Sequence, residues 1–131
     1  MKSLPVELFS PASRCPMRFA LEVVGGKWKL AIICTLAEQS PARFSEVRRR
    51  VSGITNVMLA QSLKDLESYG MVHREQYNEV PPRVEYTLTK KGQSLMPALR
   101  LLAEWGASNM PPGYDHKRCC ACKETGEASV V

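Results

Sequence analysis

The stretch from residue 43 to residue 89 constrains the fold more than any other part of this chain. "RFSEVRRRV" carries Phe44, Val47 and Val51 at the spacing of one helical face. "SGI" then makes a tight turn in which Gly53 can take a positive φ. The hydroxyl of Thr55 can cap a second helix, to which Leu59, Leu63 and Leu66 give one apolar seam. After "SYG", a natural helix stop, Met71 to Asn78 and Arg83 to Thr89 read as strands, with Val84, Tyr86 and Leu88 alternating on one face. Pro81 and Pro82 fall in the connection, where a missing N–H removes no ladder bond. A hairpin this short makes no core of its own and must pack beside the second helix. The expected fold is therefore a winged helix-turn-helix, mainly α with a small β-hairpin wing (α+β).

The second helix has an unusual outer face. Away from the leucine seam lie Asn56, Val57, Ala60 and Gln61, and charge returns only at Lys64 and Asp65. An ordinary surface helix would carry charged pairs there. A recognition helix enters the major groove near its N-terminal end, where bulky solvated charges hinder close approach. Asn56 and Gln61 can hydrogen-bond base edges, Val57 and Ala60 can meet a thymine methyl, and Thr55 and Lys64 can reach phosphates. Arg43, Arg48, Arg49 and Arg50 surround the preceding helix, opposed only by Glu46, and Arg83 sits at the wing. Of these, Arg43, Arg49 and Arg83 are the expected phosphate contacts, with Ser45 beside them. The competing readings are a solvated surface role for any one arginine and a winged-helix module that binds protein instead of DNA.

The flanks suggest more helix than one subunit can cover. Pro16 suits the first position of a helix, and Met17, Ala20, Leu21 and Val24 form one strip while Phe19 and Val23 form another. "GG" at 25 and 26 ends it, and a further helix is expected from Lys27 to about Glu38, with Trp28, Ile32, Ile33 and Leu36 turned inward. A last helix runs from near Thr89 to Gly106, with Pro97 marking a kink or a restart. Between Leu95 and Trp105 only Arg100 and Glu104 are charged, so apolar surface goes almost all the way round. A core of this size covers one side, so the terminal helices are expected to bury each other in a homodimer. The expected organisation is a flexible arm over residues 1–14, the winged helix-turn-helix domain with its dimerisation helices over 15–110, and a cysteine-rich flexible tail over 111–131.

Composition agrees. A chain of 131 residues is one domain's worth, and 18 Lys and Arg against 13 Asp and Glu give a net charge of +5, compatible with a polyanion partner. "MKSLPVELFSP" lacks the apolar core of an export signal, and "LAIIC" is far too short to span a membrane. A cytoplasmic location is expected, and with it thiols rather than disulfides for the five cysteines. An enzyme is not expected: the chain has two histidines, no glycine-rich phosphate loop and no nucleophile with an evident base. No cofactor is called for.

Together, "GGKWKLAIICTL", "RFSEVRRRVSGIT", "LAQSLKDLESYGMVHR", "YNEVPPRVEYTLTKKG" and "LLAEWG" resemble the bacterial HxlR family of MarR-like winged-helix regulators, in order over residues 15 to 106. The resemblance implies a sequence-specific transcriptional regulator, repressor or activator, that binds palindromic double-stranded operators as a homodimer, with the outer helices forming the dimer interface. Val57 departs from the basic residue that many members carry near this position.

The resemblance also points to Cys15. In redox-responsive members, a cysteine just before a proline at the start of the first helix senses oxidants or electrophiles, and "RCPMRF" reproduces that placement. A helix N-terminus flanked by Arg14 and Arg18 is an electropositive setting in which a thiol becomes a nucleophile. Control by a small molecule or a metal is the alternative. Cys34, among apolar neighbours, reads as a core residue. In the tail "DHKRCCACKETGEASVV", His116, Cys119, Cys120 and Cys122 offer ligands suited to zinc or copper(I), although adjacent cysteines rarely bind one ion together. They could equally resolve an oxidised Cys15, and a flexible tail that binds no metal is the favoured reading.

Overall fold

The computed structural model describes residues 15–113, so the arm, Arg14 and the cysteine-rich tail with His116, Cys119, Cys120 and Cys122 lie outside the described residues. Helix α1 (Pro16–Val24) starts on its proline and stops at Gly25. A Cβ on Gly25 would stand 2.5 Å from the carbonyl oxygen of Leu21, so only glycine lets the chain leave the helix here. Helix α2 (Lys29–Glu38) begins two residues later than the spacing suggests, with Trp28 as its N-cap. Strand β1 (Ala42–Arg43) leads into α3 (Phe44–Arg50), where the Glu46 carboxylate accepts from the Arg43 backbone N–H at 2.7 Å.

Helix α4 (Asn56–Ser68) is capped by Thr55, whose hydroxyl oxygen accepts from the Met58 N–H at 3.1 Å. Its end is a left-handed stop. Gly70 has φ +78, its N–H reaches the Glu67 carbonyl at 3.0 Å, and the Met71 N–H reaches Leu66 at 2.9 Å. Leu66 and Met71 are both buried, supplying the apolar contact that accompanies this motif. That stop aims the chain directly into β2 (Val72–Tyr77), which returns as β3 (Arg83–Leu88).

The strands form an antiparallel sheet of order β1-β3-β2, with Val72 opposite Leu88, Tyr77 opposite Arg83 and Ala42 opposite Tyr86. Sequence alone suggested only the hairpin. The third strand is two residues long, with no alternation to read, and exists because β3 offers it a free edge. Ser40 ties it in: its hydroxyl donates to the Leu36 carbonyl at 2.6 Å and accepts from the Leu88 N–H at 3.2 Å.

Ile32, Ile33 and Leu36 of α2, Val47 of α3, Leu59, Leu63 and Leu66 of α4, and Leu88 of β3 are the most deeply buried side chains. Cys34 is buried with them. The C-terminal helix is two helices, α5 (Lys90–Gln93) and α6 (Met96–Asn109). Pro97 lies in the first turn of α6, where its absent N–H would have no intrahelical partner, so the restart alternative describes the outcome. On α6 only Met96 and Leu99 are buried, while Leu101, Leu102 and Trp105 face outward. Helix α1 is similar: Val23 is buried, whereas Met17, Phe19 and Leu21 are exposed. Among the described residues no helix is long and apolar enough to cross a membrane.

Candidate nucleic-acid interface

The outer face of α4 is open. Thr55, Asn56, Val57, Ala60, Gln61 and Lys64 are all exposed, Val57 by 76%. A valine that bare at the start of a helix gains nothing from water, whereas a thymine methyl or a sugar edge would cover it. The Thr55 oxygen already accepts the capping bond, which leaves its O–H to donate outward. The apolar seam of the same helix holds it rigidly on α2 and β2.

The basic residues divide into two groups. Arg43, Arg48, Arg49 and Lys64 are exposed and, among the described residues, enter no ion pair. Ser45 is exposed beside them on α3. Arg50, in contrast, is drawn back onto α2 by Glu38 and Gln39. Arg83 is held as well: one amino group donates to Glu79 at 2.7 Å, the other to Glu85 at 2.6 Å, and the guanidinium lies 4.1 Å from the centre of the Tyr77 ring. The hydrogen bond to Glu79 is the largest cause of a raised pKa for Arg83. Its charge is thus fixed in place at the tip end of the wing hairpin, where Arg83 pairs with Tyr77, and is already shared with two carboxylates.

Three features escaped the sequence reading. An open cleft of about 270 Å³ separates the turn before α2 from α4, lined in part by Trp28, Lys29, Gln61, Ser62 and Asp65. Lys27 lies 4.9 Å over the Trp28 ring at its edge. Across the cleft, Gln61 donates to Asp65 at 2.9 Å and Lys29 stands 3.9 Å from the other Asp65 oxygen. The Gln61–Asp65 spacing of four was visible in the sequence, but the approach of Lys29 from another helix was not. Cys15 occupies the N-cap of α1 and is half-buried. Among the described residues no group of three or more His, Cys, Asp or Glu could hold a metal ion.

A family model described as an HxlR-like helix-turn-helix matches residues 23–114. The chain belongs to the HxlR family. An HTH-type transcriptional regulator of Methanothermobacter thermautotrophicus is 51% identical over 92 residues, 70% of this chain and 70% of the relative. The redox regulator HypR in its oxidized form shares 45% identity at a TM-score of 0.66, over 74% of this chain and 99% of that one. The reduced form of the transcriptional regulator YodB from B. subtilis shares 35% identity at a TM-score of 0.68, over 76% and 98%. This HxlR-family protein is accordingly a transcriptional regulator of the helix-turn-helix type, with the winged-helix fold of MarR-like regulators.

Proposed function

We propose that this regulator binds palindromic operators as a homodimer, placing one α4 in the major groove of each half-site and the wing along the neighbouring backbone. The observation that carries the reading is the uncharged, exposed start of α4, with Asn56, Val57, Ala60 and Gln61 on one face, beside Arg48 and Arg49 of the adjoining α3, which enter no ion pair among the described residues. Arg43, Arg49, Lys64, Ser45 and the Thr55 hydroxyl supply phosphate contacts, which add affinity without sequence information. Arg83 contributes only if a phosphate displaces or joins Glu79. Half-sites lie about one helical turn apart, ~10 bp, or a multiple of it.

The outward apolar residues of α1 and α6 support the dimer, since isolated monomers rarely leave Met, Phe, Leu and Trp exposed in clusters on two helices. Cys15 heads one of those two helices, and HypR, at 45% identity, is a redox regulator. We assign the signal to this thiol. A peroxide would take two electrons and two protons from the Cys15 thiols of two protomers, forming a disulfide as the peroxide is reduced to water or alcohol. An electrophile would instead add to one thiolate. Either change at the head of α1 would re-aim the paired recognition helices.

A fluorescence-anisotropy titration against DNA from upstream of the chain's own gene tests both levels. Specific binding over competitor DNA, steeply weakened by salt, is expected of the reduced protein. Mild oxidation should shift the affinity and Cys15→Ser should abolish that shift. Specific binding that ignores oxidant would remove the thiol switch and leave the DNA reader standing. Binding that does not distinguish operator from competitor would remove the reader.

A further inference from the structure

Gln61 is the longest uncharged hydrogen-bonding side chain on the exposed face of α4, and it does not project freely. Helical side chains lean toward the N-terminus, so Asp65, four residues on, reaches back over Gln61 and accepts its Nε2–H at 2.9 Å. The second Asp65 oxygen faces Lys29 Nζ at 3.9 Å. Lys29 is itself anchored: its Nζ lies 3.4 Å from the Glu22 carbonyl oxygen and 5.4 Å from the centre of the Tyr69 ring, and its side chain is only 18% exposed. Asp65 is therefore divided between two partners, one on its own helix and one on α2.

We propose that Asp65 is a specificity-positioning residue, orienting the Gln61 amide so that its carbonyl oxygen faces the bases. This rests on the reading of α4 as the base-contacting helix. A glutamine amide can present either end, carbonyl or amino. Rotating this one by half a turn would set its oxygen against the Asp65 carboxylate, acceptor against acceptor, so one orientation is held. The outward Oε1 then selects a base edge that offers an exocyclic amine to the major groove, adenine N6 or cytosine N4. Lys29 holds the carboxylate in the rotamer that does this and partly offsets its repulsion of nearby phosphates. Without Asp65 the amide turns freely, and the choice between amine and carbonyl edges is lost.

The test uses the full chain and duplexes selected by it from a randomised pool, followed by a panel in which each base pair is replaced in turn. Gln61→Ala should erase the preference at one base pair per half-site, where the preference is of the order of tenfold and replacing adenine by purine, or cytosine by 2-pyrimidinone, to remove the exocyclic amine weakens wild type to a similar extent. Asp65→Ala should reduce the preference at that same pair to about threefold or less, leave the other positions unchanged and hold or raise overall affinity. Asp65→Asn, which keeps a carbonyl to accept from Gln61, should retain part of the preference, and Gln61→Ala/Asp65→Ala should lose no more than Gln61→Ala alone. Asp65→Ala weakening every duplex equally would mark a structural residue and overturn the proposal. So would an unchanged preference at the Gln61 pair, a Gln61→Ala variant with no position-specific effect, or a wild-type preference that survives removal of the exocyclic amine from that pair. A wild-type chain that enriches no sequence at all would remove the DNA-reading assignment itself, an outcome distinct from each of these.

Discussion

Replacing Trp105 with alanine should weaken the proposed homodimer by two orders of magnitude. The side chain is 66% exposed on α6 in the isolated subunit. An aromatic residue buries ~150–250 Å² when fully covered, so roughly two-thirds of that, ~100–165 Å², remains available to a partner. At ~25 cal/mol/Å² the gain is ~2.5–4 kcal/mol per subunit, ~5–8 kcal/mol for the two copies at a symmetric interface. Incomplete coverage and the retained alanine methyl lower the net loss to about 3 kcal/mol, a factor of ~150 in dissociation constant. The whole surface is of the right size: Met17, Phe19, Leu21, Leu101, Leu102 and Trp105 are all more than half exposed. The other five on each of two subunits, at ~0.8–2 kcal/mol apiece, together with Trp105 outweigh an association cost of ~4–15 kcal/mol over most of its range. Sedimentation velocity across a concentration series reads the constant directly. A wild-type chain that stays monomeric at micromolar concentration, or a Trp105→Ala variant that dimerises as tightly as wild type, would refute this reasoning.

Three further outcomes are expected. Thr55→Ala removes the hydroxyl that caps α4 and should cost about 1 kcal/mol, seen as a fall of ~4–8 °C in the melting temperature; an unchanged melting temperature would show that water caps the helix equally well. Leu63→Ala, at a position of α4 that is 1% exposed in the hydrophobic core, should cost ~2–5 kcal/mol by leaving a cavity, measured by urea unfolding. Glu79→Gln loosens one of the two carboxylate holds on Arg83 and removes a charge beside the duplex, so DNA affinity should rise for all sequences alike and the salt dependence should steepen. Identical affinity and salt slope in Glu79→Gln and wild type would place Arg83 off the DNA.

The local signals in this sequence determined the helices, the turn and the hairpin. Pro16 at a first turn, Thr55 at a cap and Gly70 at a left-handed stop each act through backbone geometry within a few residues. The leucine seam of α4 likewise needs only the helical repeat to define its buried side. The bare face opposite was legible for the same reason, because a missing charge can be counted without knowing what lies nearby. Tertiary structure decided the rest. Strand β1 exists only because β3 passes beside Ala42. Arg50 and Arg49 are neighbours in a run of arginines, yet the position of α2 turns one back to Glu38 and leaves the other open to a partner. Lys29 and Asp65 are 36 positions apart and meet only across the cleft between α2 and α4. Electrostatic and hydrogen-bonding partners form wherever packing brings groups within a few ångströms, and spacing along the chain carries no record of such contacts unless a single helix or hairpin makes them.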